Sequence, residues 1–167
     1  MVYTIISGTN REGSNTYKIA EQYRQLFTRR GLDVQMLSLE HVNPLAKDDQ
    51  FRLVEEKVLN PTSKFIFVSP EYNGSIPGIL KLVIDSANWK KAWRDKKAML
   101  VGVSTGRAGN LRGMDHLVSI LHHMHIRVMP HMIPISQVDR LLNEAGEVTD
   151  EMLLKNMEEQ VEEFVAF

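Results

Sequence analysis

The feature that most constrains this chain is an alternation of short, nearly continuous apolar runs with stretches of helical periodicity. Buried strands read as brief apolar runs bounded by polar or turn residues. Residues 2–7, 33–39, 64–69 and 97–104 are four such runs, and residues 126–135 give a fifth. Pro130 and Pro134 interrupt the fifth. Proline cannot donate to a sheet ladder, so that strand belongs at a sheet edge.

The intervening stretches carry helical stripes. Ile19, Tyr23, Leu26 and Phe27 share one face, closed by Arg29, Arg30 and Gly31. Leu80, Val83, Ile84 and Ala87 follow i, i+3, i+4, i+7 spacing, with Pro77 placed to start the helix. Leu111, Met114, Val118 and Leu121 form another stripe. Leu153, Met157, Val161 and Phe164 form the last, with acidic residues opposite. Residues 47–59 read as a partial helix.

Strands alternating with helices define βαβ units and a parallel sheet, each right-handed crossover packing its helix back on the sheet. With no repeat, low-complexity tract or Pro/Gly/Ser-rich linker, residues 1–167 read as a single domain. The class predicted is α/β: a flavodoxin-like three-layer sandwich with a five-stranded parallel sheet of order 2-1-3-4-5. Such sheets bind ligands beyond the strand carboxyl ends, which directs attention to the loops after strands one, three and four.

Composition narrows the function classes. At 43% hydrophobic and 25% charged residues, the chain reads as a folded globular domain. No apolar run approaches the ~20 residues of a membrane helix. Twenty basic residues against 21 acidic ones give a net charge of -1. That balance lacks the basic excess of a nucleic-acid binder and the acidity of a charge-steered electron carrier. The absence of cysteine removes disulfides, thiolate catalysis, Cys-type zinc sites and iron–sulfur clusters. No secretory signal is visible at the N-terminus, so the expected location is cytoplasmic.

The first loop, residues 7–16, brackets hydroxyls, an amide and a guanidinium between a strand end and a helix start. A helix N-terminus with unpaired N–H groups suits a phosphate. The glycines at 8 and 13 lack the G-x-G-x-x-G spacing, and no Gly-Lys-Ser/Thr follows, so neither dinucleotide nor Walker A signature is met. A compact terminal phosphate remains as the ligand class, against the plainer reading of Ser14 or Asn15 as a helix N-cap. The loop after strand three holds two prolines, two glycines and Tyr72. By itself it serves a rigid connector as well as the edge of a flat heterocycle.

Pro70-Glu71-Tyr72-Asn73-Gly74-Ser75-Ile76-Pro77-Gly78, followed by Leu80-Lys81 and Ile84-Asp85, resembles the second flavin loop of the NADPH-dependent FMN reductases. That flavodoxin-like family includes quinone, azo-dye and chromate reductases. Gly8-Thr9-x-Arg11-x-x-Ser14 resembles its first loop, usually Gly-Ser-x-Arg-x-x-Ser. The resemblance implies a phosphate cradle of Ser7, Thr9, Arg11, Ser14, Asn15 and Thr16. It also implies an isoalloxazine lining by Pro70, Glu71, Tyr72, Asn73 and Gly74. Ser104, Thr105, Gly106, Arg107, Ala108 and Gly109 fill the place of the third flavin loop. Leu82 and Ser86 depart from the asparagine and tryptophan often found there, positions that tend to face a subunit partner.

The implied activity is FMN-dependent, NAD(P)H-driven reduction of small electrophiles by ping-pong hydride transfer through flavin N5. FMN is held non-covalently, with NADPH or NADH as co-substrate, and assembly is as a homodimer or homotetramer. No membrane or nucleic-acid partner is implied. The flavin carries the chemistry, so no side chain is assigned as catalytic. Arg107 or Arg112 is expected to meet the dinucleotide phosphate. A flavodoxin-type electron carrier, or a non-enzymatic flavoprotein scaffold, is the alternative.

Other features are weighed and set aside. His122, His123 and His125, with His116 and His131 nearby, lack an i, i+4 pair with an acidic partner and read as a helix end or subunit contact, with no metal site. Trp89 and Trp93, interleaved with Lys90, Lys91 and Arg94, read as an interface or a substrate-entrance wall. The methionines read as core filling.

Overall fold

The computed structural model describes residues 1–46 and 48–167. Six strands form one sheet: β1 (Tyr3–Ser7), β2 (Val34–Ser38), β3 (Lys64–Pro70), β4 (Lys97–Val103), β5 (Arg127–Val128) and β6 (Ile133–Ile135). The order is β2-β1-β3-β4-β5, with β6 also on β4, and every pairing is parallel. The expected 2-1-3-4-5 order is therefore present, with the fifth run divided. β5 pairs with Lys97 and Ala98 at the start of β4, and β6 pairs with Val101, Gly102 and Val103 at its end. Pro130 lies in the gap between the two segments. Pro134 lies within β6, at the sheet edge where a missing N–H is tolerated.

Among the described residues, six helices flank the sheet: α1 (Asn15–Arg29), α2 (Asp49–Val54), α3 (Gly78–Ser86), α4 (Trp89–Ala92), α5 (Leu111–His123) and α6 (Glu151–Ala166). α2 runs directly into a π-helical turn at Glu55–Leu59, so the segment expected to be a partial helix is helical from Asp49 to Leu59. Its start is set by Asp48, whose carboxylate accepts from Phe51 N–H. Lys47, included in that expectation, lies outside the described residues.

Strand alternation divides the core in two. Tyr3, Ile5, Ile66, Val68, Met99 and Val101 pack with the α1 and α6 residues Ile19, Tyr23, Phe27, Met157, Val161 and Phe164. Ile6, Phe65, Phe67, Ala98 and Leu100 pack on the opposite side, with Phe51, Leu80, Val83, Ile84, Met114, Leu117 and Leu121. On α5 the buried stripe is Met114, Leu117 and Leu121, while Leu111 is exposed and Val118 only partly covered.

Trp93 departs from its sequence reading as an interface or entrance wall. It is fully buried, its ring 5.1 Å from that of Phe65, and Nε1–H donates to the Ile84 carbonyl at 3.1 Å. The indole thus fills the core and satisfies a carbonyl in the last turn of α3. Trp89 remains exposed. Met114 and Met129 are buried, and Met124 packs partly against the core.

The sheet end opposite the ligand loops is closed by lysines. Lys64 Nζ donates to the carbonyls of Phe164 and Val165 at 2.7 and 3.0 Å. Lys96 Nζ donates to those of Leu59 and Asn60 at 2.7 and 2.9 Å. Both therefore satisfy carbonyls that helix ends leave without intrahelical donors. Among the described residues, no helix is long and apolar enough to cross a membrane. No group of three or more His, Asp or Glu there could hold a metal ion.

Candidate functional site

A cleft of about 700 Å³ opens at the carboxyl edge of the sheet. Its walls come from loops after β1, β3, β4 and β6. β1 lies between β2 and β3, so the cleft sits where strand order reverses.

The first loop leaves β1 tightly. Gly8 N–H donates to Val68 O at 2.8 Å, and a Cβ there would lie 3.1 Å from that same oxygen. Ser14 is the N-cap of α1, its Oγ accepting from Tyr17 N–H at 3.1 Å. Lys18 N–H reaches Ser14 O. The N–H groups of Asn15 and Thr16, first in the helix, have no acceptor within it and face the positive end of the helix dipole. Arg11, Glu12, Ser14, Asn15 and Thr16 line this end of the cleft.

The second loop begins with Glu71 N–H donating to Val103 O at 3.1 Å. Tyr72 and Ser75 then exchange backbone hydrogen bonds of 2.9 and 3.1 Å across Asn73 (φ 53°) and Gly74 (φ 77°). Two successive positive φ values make a type I′ turn, which Asn-Gly favours. Ser75 Oγ and His116 Nδ1 share a 2.8 Å hydrogen bond, tying the turn to α5.

The third loop folds down onto the sheet. Ser104 Oγ donates to Gly106 O and accepts from Gly109 N–H, both at 3.0 Å. Gly109 O comes so close to Gly102 that a Cβ on Gly102 would lie 2.1 Å from it. Asn110 is fully buried at φ 67°, and its Nδ2–H donates to Ser69 O at 2.8 Å. Gln137 and Val138 N–H groups donate to the Gly106 and Ser104 carbonyls.

The structure brings Arg11, Ser14, Asn15, Thr16, Pro70, Glu71, Tyr72, Asn73, Gly74, Ser104, Thr105, Gly106 and Arg107 around one cleft. Ser7, Thr9 and Gly109 are not in its lining. Ser7 Oγ is buried without a hydrogen-bond partner, and Thr9 is buried against Tyr72. Gly109 is held against Pro134. Ala108 of the third loop also lines the cleft, as do Glu12, Val103 and Val138, which the sequence reading did not assign to the site. Val138 follows β6, and the carboxyl-edge rule applied to the fifth strand as well would have found it.

The donor set fits FMN. One end offers a guanidinium, hydroxyls and unpaired helical N–H groups for a phosphate. The other offers backbone groups of residues 70–74 and 104–108 beside the Tyr72 ring, suited to a flat heterocycle.

This fold defines a flavodoxin-like protein with a donor-lined cleft at its switch point. The profile of the NADPH-dependent FMN reductases matches residues 1–139. The chain belongs to that family and is accordingly an oxidoreductase using FMN with NAD(P)H as co-substrate. It is 29% identical to subunit CrdA of an NADH:(hydroxy)cinnamate reductase from Vibrio ruber, covering 100% of this chain and 87% of that one. An NAD(P)H-dependent FMN reductase of Pseudomonas aeruginosa is 26% identical over 94% of this chain and 89% of its own. Among solved structures, the flavoenzyme NAD(P)H:(acceptor) oxidoreductase FerB of Paracoccus denitrificans superposes with a TM-score of 0.82. It covers 99% of this chain and 94% of its own at 24% identity, a likeness of fold.

Proposed function

We infer that this protein reduces small, flat electrophiles, such as quinones, azo compounds, free flavins or metal oxyanions, at the expense of NAD(P)H. The observation that carries this reading is that an anion-suited helix N-terminus and a ring-suited pair of loops line one cleft. Relatives named as hydroxybenzoquinone and quinone reductases support the acceptor class.

When bound, FMN would supply the redox chemistry, ping-pong hydride transfer through N5 between nicotinamide and acceptor. The protein's own residues bind and orient. Arg11 supplies charge, with Ser14, Asn15 and Thr16 giving directional donors to the phosphate. The backbone of Asn73, Gly74 and residues 105–107 borders the heterocycle and biases the charge it carries. Tyr72 walls the slot. Arg107 in the cleft wall, and Arg112 with its guanidinium beside Gly74, serve the nicotinamide dinucleotide phosphate. Replacing both should erode the preference for NADPH over NADH, and an unchanged preference would remove that assignment. Assembly as a homodimer or homotetramer and a cytoplasmic location complete the proposal.

The test is anaerobic titration of the FMN-loaded protein with NADPH and NADH, followed by addition of a benzoquinone. Rapid bleaching by the nicotinamide and rapid recovery with quinone are expected. Flavin that neither nicotinamide reduces would identify an electron carrier instead.

A further inference from the structure

Tyr72 belongs to the second loop, but its hydroxyl lies in the first. Thr9 Oγ1 and Tyr72 Oη share a hydrogen bond of 2.5 Å. The Arg11 guanidinium sits over the Tyr72 ring, 4.1 Å from its centroid. Thr9 is fully buried, and its Oγ1 also accepts from the Arg11 backbone N–H at 3.2 Å. Thr9 is thus engaged with its neighbours, whereas Tyr72 borders the cleft.

The protons decide what this arrangement offers. Two hydroxyls carry two protons, and one hydrogen bond between them uses only one. If Tyr72 donates to Thr9, the threonine proton is left in a buried position where no described residue accepts it, the costlier arrangement. If Thr9 donates to Tyr72, the phenolic proton stays free beside the cleft. The second arrangement leaves no buried donor unpaired, and it presents an aimed O–H at the end where Arg11 and the start of α1 gather positive charge.

We propose that the Tyr72 hydroxyl completes the anion cradle of the first loop, donating to the phosphate of FMN, with Thr9 as the positioning residue that aims it. This rests on the assignment of the cleft to FMN. It gives the second loop a part in holding the phosphate besides walling the ring, and it withdraws Thr9 from direct phosphate contact. Tyr72 then helps to distinguish FMN from riboflavin, which has the same ring and no phosphate.

The experiment is fluorescence titration of the flavin-free full chain with FMN and with riboflavin. The proteins are wild type, Tyr72→Phe, Thr9→Val, Thr9→Ser and the Tyr72→Phe/Thr9→Val pair, each checked for native circular dichroism. Tyr72→Phe should weaken FMN binding by roughly ten-fold or more, the scale of one hydrogen bond to a charged group, and leave riboflavin binding unchanged. Thr9→Val should shift FMN binding the same way, Thr9→Ser should restore it, and the pair should be no worse than Tyr72→Phe alone. Equal weakening of both flavins by Tyr72→Phe would make Tyr72 a ring wall only and overturn the proposal, as would no change in either. A wild-type chain that binds neither flavin would overturn the cofactor assignment itself, a result distinct from both.

Discussion

Ser69 and Asn110 are joined across the carboxyl edge of the sheet: Asn110 Nδ2–H donates to the Ser69 carbonyl at 2.8 Å, with the asparagine fully buried. Ser69 precedes the second loop and Asn110 ends the third, so one amide fixes the separation of the two walls beside the proposed heterocycle slot. The left-handed backbone at Asn110 (φ 67°) turns the chain from the third loop into α5.

Asn110→Ala should destabilise the protein by about 1–3 kcal/mol, because a buried carbonyl loses its donor. It should also loosen FMN binding. Asn110→Gly keeps the left-handed turn and should be the milder of the two, since a Cβ at positive φ carries its own penalty of about 1–2 kcal/mol. Urea unfolding of both variants checks the order. Wild-type stability in Asn110→Ala would show that the amide does not hold the loops.

Two glycines offer a contrast. Gly102→Ala places a Cβ 2.1 Å from Gly109 O and 3.0 Å from Met114 Cε, so backbone must move. The expected loss is about 1–3 kcal/mol or more, with weaker flavin binding as the third loop is pushed outward. Gly78→Ala, in the first turn of α3 with nothing within 4 Å, should be neutral or stabilising by about 0.4–1 kcal/mol. Equal effects in a denaturation series would contradict the packing described for Gly102.

Arg11→Ala should weaken FMN binding by about 1.5–3 kcal/mol, the range for one hydrogen bond to a charged group. Riboflavin binding should change far less. Calorimetric or fluorescence titration measures both, and unchanged FMN affinity would exclude Arg11 from the cradle.

Stability should rise with pH from about 8 towards 10. Burial lowers the Lys96 ammonium to about 8, and burial followed by the Lys97 charge lowers Lys64 as well. Between the lowered folded value and the ordinary lysine value near 10.5, the unfolded chain binds more protons, so unfolding becomes less favourable as pH increases. The phenol of Tyr23, raised well above 10 by burial, reverses the trend once tyrosines of the unfolded chain begin to ionise. Urea midpoints at several pH values test this, and Lys96→Met should flatten the rise. A wild-type midpoint that falls between pH 8 and 9.5 would contradict it.

The sheet was legible because its central strands β1, β3 and β4 are buried on both faces and so read as continuous apolar runs, with the two prolines marking the edge. The cleft was legible through loop chemistry: Asn73-Gly74 encodes a type I′ turn, and Ser14 a helix cap. What escaped depends on three-dimensional neighbours. Trp93 looked like surface because lysines and an arginine surround it in sequence, yet its indole is covered by Phe65 and by the end of α3. Thr9 sits in the phosphate-loop motif, and its hydroxyl is bonded to a tyrosine 63 residues away. No local pattern encodes such a pairing. The π-helical turn after α2 likewise depends on packing: Leu59 is buried while Lys96, from the chain before β4, caps the end.

The most direct test of the central claim is the visible absorption spectrum of the purified protein, with chromatography of whatever heat releases. A yellow protein, or one that turns yellow with added FMN and releases FMN on heating, is the predicted result. A colourless protein that takes up no added FMN would leave the fold standing and contradict the function.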